Sequence, residues 1–186
     1  MSRFFNSKKK FSLENVTKLC DEIERLEGTV KQRPGPMVEA LRELAEVVVW
    51  GDKNCEEVFD VFLERQLMNA FAELILGDEF PSEVKVQVIQ CVTIMMQNLT
   101  RQQSIYFILS NNHINNIIKY DFDKNDDELM SNVVSFFKSL SLRLNNDTVQ
   151  FFLTGNFPLY AKAVDLLDHD DRMIRTAARQ IAMNII

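Results

Sequence analysis

The chain has 186 residues, 46% of them hydrophobic, and a formal net charge of −6. That is enough apolar material for a substantial core and excludes a disordered chain, while no apolar run reaches the roughly 18–20 residues that a membrane-crossing helix needs. The charge is uneven: residues 1–33 hold eight Lys/Arg against five Asp/Glu, and residues 34–186 hold thirteen against twenty-two, so an acidic body would repel phosphates and excludes nucleic acid as a partner.

Residues 1–11 read as a flexible basic tail. A basic cluster with no apolar segment after it is not a secretory leader. Phe4, Phe5 and Phe11 flank Lys8, Lys9 and Lys10. Aromatic rings beside lysines suit the surface of an anionic membrane, although three lysines would supply only about 3 kcal/mol. A tail that aids solubility is the simpler reading of the same residues.

Ser12 is placed to cap a first helix, whose apolar face is Val16, Leu19, Cys20, Ile23 and Leu26, at three-and-four spacing. Gly28 and Arg33-Pro34-Gly35-Pro36 end it. The second helix is predicted over 36–50, with Val38, Leu41, Leu44, Ala45, Val48 and Val49 inward, Gly51 as its stop and Asn54 as the next cap. Helices over 54–64 and 66–76 follow. From Ser82 to Leu99 the chain is apolar almost all round, including Val86, Val88, Ile89, Cys91, Val92, Ile94, Met95 and Met96. That suits a central helix packed on both sides, although residues 84–88 also alternate as a strand would.

Two short helices are predicted over 101–110 and 112–119, then an acidic loop over 121–126. A long helix over 127–144 has Leu129, Val133, Val134, Phe136, Phe137, Leu140 and Leu144 inward. A helix pair split near Gly155 and Pro158 and a last helix from about Asp170 complete the chain. Leu63, Leu109 and Leu153 lie 46 and 44 residues apart, each followed by a polar break and a second apolar run. A period in the forties built of short helices predicts stacked helical repeats. The expected fold is therefore all-α, an armadillo/HEAT-like right-handed helical solenoid of about three and a half repeats over residues 12–186. The uncapped end Ile181-Ala182-Met183-Asn184-Ile185-Ile186 reads as the N-terminal part of a longer solenoid.

Chemistry is sparse by comparison. Asp121, Asp123 and Asn125 copy the first ligands of a calcium loop, but Asp126 stands where glycine is needed and Asn132 where the closing glutamate is needed. A solvated acidic loop is the better reading. His113 and His169 have no Cys or carboxylate at zinc spacing. Cys20, Cys55 and Cys91 are scattered, as suits reduced cytosolic thiols. An enzyme built on a Cys–His pair would need one of these thiols depressed in pKa. No Gly-rich phosphate loop or nucleophile elbow is present, so no catalytic residue, cofactor or metal is expected.

Binding surface is the alternative use. Arg172, Arg175 and Arg179 share a helix face; Arg175, spaced from Asp171, is read as a bond between repeats, leaving Arg172 and Arg179 for an acidic partner. Pro158 and Tyr160 are candidates for the edge of a partner groove, within a Phe151, Phe152 and Phe157 cluster whose simpler use is core packing. Trp50 is expected to close a gap between repeats.

Several of these segments together resemble the FPL-domain family: Trp50-Gly51-Asp52, Val58-Phe59-Asp60, Phe62-Leu63-Glu64, Leu109-Ser110-Asn111-Asn112, Leu140-Ser141-Leu142, Leu144-Asn145-Asn146, Thr148-Val149 and Phe157-Pro158-Leu159-Tyr160. The match keeps order and spacing from about Leu13 onward and departs from the family over 29–37. The resemblance implies a cytoplasmic trafficking factor, peripherally associated with endosomal, lysosomal or Golgi membranes and concerned with autophagy. On that reading the chain is a non-catalytic scaffold for protein partners such as a tethering complex or a small GTPase. A regulatory or substrate-docking subunit of a ubiquitin ligase is the alternative function; with no RING-type ligand set, the chain could not hold that enzyme's zincs itself.

Overall fold

The computed structural model describes residues 10–153 and 157–186. Among the described residues the chain is all-helical, with ten α-helices and no strand. It forms two compact units, the first ending at Ile105 and the second running Tyr106–Ile186.

In the first unit α1 is Leu13–Leu26, and the predicted apolar face of α1 is the buried one: Val16, Leu19, Cys20, Ile23 and Leu26. Ser12 caps it as expected, its hydroxyl accepting from the Asn15 amide at 3.2 Å. Helix α2, Pro34–Asn54, is longer than predicted at both ends. Pro34 and Pro36 fit its first turn, where no N–H is required. Gly51 does not stop the helix but lies inside it, where α3 (Glu56–Glu64) comes close. Asn54 does not cap α3; its amide turns back to the Trp50 carbonyl at 2.8 Å. Val47 is buried where Val38 and Val49 were expected.

Helix α4, Leu67–Leu76, and α5, Ser82–Asn98, complete this unit's core. Residues 84–88 are helical, so the strand alternative is overturned. Helix α5 packs against α2 and α4, and Val84, Val88, Ile89, Val92, Met95 and Met96 are buried. Ile94, assigned inward, is 37% exposed. The buried polar residues of α5 are satisfied locally: Lys85 donates to the Ile75 carbonyl at 2.7 Å and Thr93 to the Ile89 carbonyl at 2.7 Å. Lys85 thus ends α4 by taking a carbonyl that its last turn leaves over.

Helix α6, Gln102–Leu109, starts in the first unit and ends in the second. The second unit continues with α7 (His113–Lys119), α8 (Asp127–Ser141), a 3-10 turn Val149–Phe151, α9 (Pro158–Asp165), a 3-10 turn Leu166–Asp168 and α10 (Arg172–Ile185). Helix α10 packs on α8 and α9, and α9 also packs on α7. Asp126 and Asp171 cap α8 and α10 through the amides of Leu129 and Met173. Asn145 and Thr148 build the turn after α8: the Thr148 hydroxyl donates to the Arg143 carbonyl at 2.6 Å and accepts from the Asn145 amide at 3.0 Å.

One backbone feature recurs at a spacing close to that of the leucines. Gln66, Asn112 and Phe157 each have left-handed φ, at 50°, 60° and 53°, and each immediately precedes a second short helix. They recur 46 and 45 residues apart. Leu63, Leu109 and Leu153, by contrast, are not equivalent in burial: Leu109 is buried and Leu153 is 62% exposed. Where the sequence predicted a helix ahead of Gly155, the chain forms only the 3-10 turn Val149–Phe151, and Leu153 lies outside any helix.

Candidate functional site

Of the residues assigned to the basic tail, Lys10 and Phe11 are described. Phe4, Phe5, Lys8 and Lys9 lie outside the described residues. Phe11 stacks on Trp50, ring centroids 5.4 Å apart and planes 22° apart. Lys10 pairs with Glu46 and sits 5.7 Å from the Phe11 ring centre. Lys10 and Phe11 thus contact α2, and Trp50 receives Phe11.

The Trp50-Gly51-Asp52 segment works as one fastening. Beside the stacked Trp50, Gly51 admits Val58, and the Asp52 carboxylate, 3% exposed, takes the backbone at the start of α6. Burial alone would raise the Asp52 pKa; hydrogen bonds from Ser104, Thr100 and Arg101 outweigh it and hold the carboxyl below its ordinary range. Arg101 pairs with Glu56 at the same place. These roles are structural.

In the second unit the candidate contact residues separate. Arg172 and Arg179 are exposed on the outer face of α10, with Met173 and Met183 exposed at 81% and 76%. Arg175 does not form the expected bond between repeats. It donates to the carbonyls of His169 and Asp170, holding the turn that precedes its own helix, while Asp171 caps Met173. Tyr160 is exposed on α9, but Pro158 is buried in the first turn of that helix and cannot edge a groove. Phe152 is buried, with its ring 6.3 Å from that of Phe157, and the Phe151 ring lies 5.4 Å from that of Tyr106, tilted by 52°.

The loop that copies a calcium site is spent on itself. Asp121 pairs with Lys162 at 2.5 Å, Asp123 accepts from the Asn125 amide at 2.9 Å, and Asp126 caps α8. Among the described residues no group of His, Cys, Asp and Glu is arranged to hold a metal ion. The thiols are poor nucleophiles: burial pushes Cys20 up to about 11 and Cys91 up to about 12, and the hydrogen bond to Glu57 raises Cys55. The cysteines lie in the first unit and the histidines in the second.

What the sequence left unseen is a half-open pocket of about 410 Å³ in the second unit. It is lined by Met130, Val133 and Phe137 of α8, by Tyr120 at the end of α7, by Phe122 of the acidic loop and by Leu166 after α9. The Tyr120 and Phe122 rings meet edge-on, 5.0 Å apart. Lys162 and Asp165 stand at the rim, and the Lys162 partner Asp121 has a carboxylate side chain that is 94% exposed. The ammonium of Lys162 holds that carboxyl below its ordinary range, first by hydrogen bond and then by charge. The sequence carried Val133 and Phe137 as core positions but not Met130, and no periodicity could show that residues 120–124 and 162–166 meet beside them.

A second hollow of about 370 Å³ adjoins the pocket and shares Lys124 and Asp165 with it. Asp127, Asp168 and Asp170 line it, along with Asp171 and His169. The Asp171 amide donates to Nδ1 of His169 at 3.0 Å, which places the proton of a neutral ring on Nε2. That atom is buried and has no partner among the described residues. The apolar side chains behind the first hollow are closed to solvent, Met130, Val133 and Phe137 being 3%, 1% and 1% exposed, so what both hollows present is mainly charged side chains such as Asp121, Asp165 and Lys124.

Comparison with known proteins places the chain among relatives. The chain is 39% identical over 178 residues to a protein named "Protein CLEC16A homolog" of Caenorhabditis elegans, covering 94% of this chain and 20% of that one. It is 37% identical over 177 residues to "Protein CLEC16A" of Homo sapiens, covering 94% and 17%. Against "Protein TRANSPARENT TESTA 9" of Arabidopsis thaliana it is 34% identical over 188 residues, covering 98% and 22%. The chain thus spans about a fifth of the length of these relatives. No solved structure matches it. The family model FPL, described as an uncharacterised conserved protein, matches residues 41–186, a span that holds the Trp50-Gly51-Asp52 fastening, both hollows and all three left-handed hinges, and the chain belongs to the FPL family.

Proposed function

We propose that the chain is a non-catalytic interaction scaffold of a membrane-trafficking factor, built as an armadillo-like array and working at endosomal, lysosomal or Golgi membranes and in autophagy. Kinship over almost the whole chain with the CLEC16A and TRANSPARENT TESTA 9 proteins is the observation that carries this reading. The hinges at Gln66, Asn112 and Phe157 support the array. The exposed arginines of α10 support its use as surface. Among the described residues no helix is long and apolar enough to cross a membrane, so attachment would be peripheral. Partners of the tethering-complex or small-GTPase kind would meet Arg172, Arg179 and Tyr160, and Lys8, Lys9, Phe4 and Phe5 would add a weak contact with anionic lipid. No observation favours the ubiquitin-ligase alternative.

The test is capture from cytosol on the immobilised chain, beside a doubly reversed variant, Arg172→Glu with Arg179→Glu. Both sites are exposed, so the variant should keep its melting temperature. The expected result is a set of membrane-traffic proteins retained by the parent and lost by the variant. Repeated failure to retain any such protein would remove the reading.

A further inference from the structure

We propose that the outer face of α10 is a docking surface for one amphipathic helix of a partner protein, a helix with carboxylates opposite Arg172 and Arg179 and apolar side chains opposite Met173 and Met183. The inference rests on the scaffold reading and names the partner's chemistry at the arginines that reading uses.

Helix α10 has three arginines and no Asp or Glu in its fourteen residues, within a chain whose net charge is −6. Ile174, Ala178 and Ile181 mark its buried stripe. At about 100° per residue, Arg172, Thr176, Arg179 and Met183 fall on the opposite side, and all four are exposed. Arg175 is spent on the carbonyls of His169 and Asp170. In the first unit Arg25, Arg42, Arg65 and Arg101 each pair with a carboxylate of this chain. Arg172 and Arg179 form no ion pair among the described residues. Seven residues set them about 10 Å apart along the axis, and two carboxylates seven residues apart on a second helix reproduce that spacing.

The apolar part of the face is open to solvent. Met173 stands beside Arg172, and Met183 lies one turn beyond Arg179; both are strongly exposed. Leu142, also exposed, follows Ser141, whose hydroxyl accepts from the Asn184 amide at 3.0 Å, so the Met183 end of the face gains a second apolar group. Methionine adapts its shape to side chains laid against it and recurs where helices are bound. Apolar contact supplies the affinity and the charge pairs set the register. An anionic bilayer is a poorer occupant. Asp168, Asp170 and Asp171 are exposed just ahead of Arg172, and a flat negative surface would meet them together with the arginines. A helix can end before them.

The experiment is fluorescence anisotropy on the whole chain with the labelled peptide Ser-Leu-Leu-Gln-Ala-Glu-Leu-Ala-Ala-Leu-Gln-Ala-Glu-Leu-Ala-Gln. One control peptide has Lys for both Glu, and the other has Ala for every Leu. Saturable binding is expected, weakened about tenfold or more by either change and weakened as salt rises from about 50 to about 300 mM. The chain variant Arg172→Glu with Arg179→Glu should lose the same factor at an unchanged melting temperature, and the Lys peptide should restore its binding. Met173→Gln with Met183→Gln should also weaken binding. Independently of any variant, methyl NMR of the parent should show the Met173 and Met183 signals moving when the peptide is added.

Equal binding of the Glu and Lys peptides, no recovery in the reversed pairing, or shifts confined to other methionines would each overturn the surface. Retention of vesicles with about 30% phosphatidylserine by the parent and not by the reversed variant, without peptide binding, would give the face to a membrane. Self-association lost in the same variant would give it to a second copy. Failure here with cytosolic capture still dependent on Arg172 and Arg179 sinks the helix site alone. Charge-swapped peptide binding without capture of any traffic protein sinks the trafficking reading alone.

Discussion

The Asp52 carboxylate, near the end of α2, holds Thr100 by two hydrogen bonds to one oxygen, from the amide at 2.7 Å and from the hydroxyl at 3.0 Å. The Arg101 amide reaches the same oxygen at 3.3 Å. These donors lie at the start of α6, where a helix leaves its first N–H groups without intrahelical partners. A carboxylate borrowed from forty-eight residues away therefore does what an adjacent Asp or Ser does at other helix starts, and it ties α2 to the chain leaving α5. The other oxygen, Oδ1, is buried with no partner among the described residues, so the fastening depends on one atom.

Replacing that atom should be costly. Asp52→Ala strands the Thr100 and Arg101 amides and should lower unfolding free energy by about 1–3 kcal/mol, measured by urea titration at neutral pH. Asp52→Asn keeps an acceptor and should lose less. The folded carboxyl is held below its ordinary value of 3.8. Its stabilisation is then complete above the unfolded pKa and fades as pH falls through that value toward the folded one. The gap between parent and Asp52→Asn should narrow from about pH 6 to about pH 3. A gap that stays constant with pH would show that the carboxylate charge is not what holds α6.

Gly51 gives a prediction whose sign opposes helix propensity. Gly to Ala inside a helix ordinarily gains about 1 kcal/mol. Here a Cβ at residue 51 would stand 2.5 Å from Cγ1 and 2.7 Å from Cβ of Val58. The Val58 Cβ is fixed by its backbone, so α3 has to shift. Gly51→Ala should therefore destabilise by about 1–3 kcal/mol. Gly51→Ala combined with Val58→Ala should recover part of the loss, and thermal melts of the two variants decide it.

These two residues show how far the sequence can be read. Helix α1 is legible residue by residue because one face is buried and one wet, so Val16, Leu19, Cys20, Ile23 and Leu26 carry the period themselves. Gly51 reads as a stop because a glycine that ends a helix and one that admits a neighbour look alike in one dimension. The roles of Asp52 and Pro158 are hidden for a related reason: their partners and their burial come from segments far along the chain. Leu153 aligns with Leu109 by period, yet the helix that would have buried it is a 3-10 turn. The pocket is invisible because residues 120–124 and 162–166 meet beside α8 only once the chain has folded. Arg172 and Arg179 are legible as exposed because α10 is amphipathic, with Ile174, Ala178 and Ile181 inward.

The hinges offer a test of strain. A side chain in the left-handed region costs about 1–3 kcal/mol where its surroundings do not favour it, and asparagine tolerates that region better than glutamine. Gln66, with φ of 50°, is exposed. Gln66→Gly should stabilise the chain by about 1 kcal/mol. Asn112→Gly should gain nothing, since Asn112 also accepts from Asn115 at 3.3 Å. A loss of stability in Gln66→Gly would mean that the glutamine side chain fixes the turn and that φ is incidental there. Chemical denaturation of the two variants under one buffer makes the comparison.

The thiols make the last prediction, and it bears on the enzyme reading directly. Cys20 and Cys91 are buried, so their thiols are both inaccessible and raised in pKa, to about 11 and about 12. Cys55 is partly exposed, and its Sγ donates to the Glu57 carboxylate at 3.2 Å. That hydrogen bond stabilises the protonated thiol, and the nearby negative charge adds to it. Alkylation of the folded chain at pH 8 should therefore label Cys55 alone, and slowly. Glu57→Gln removes the charge, lowers the thiol pKa and should speed labelling, because the thiolate is the reacting form. The rate of iodoacetamide labelling against pH, followed by mass spectrometry of the intact chain, gives both results. Rapid labelling of Cys20 or Cys91 in the folded chain, or an unperturbed reactive thiolate at Cys55, would favour cysteine chemistry.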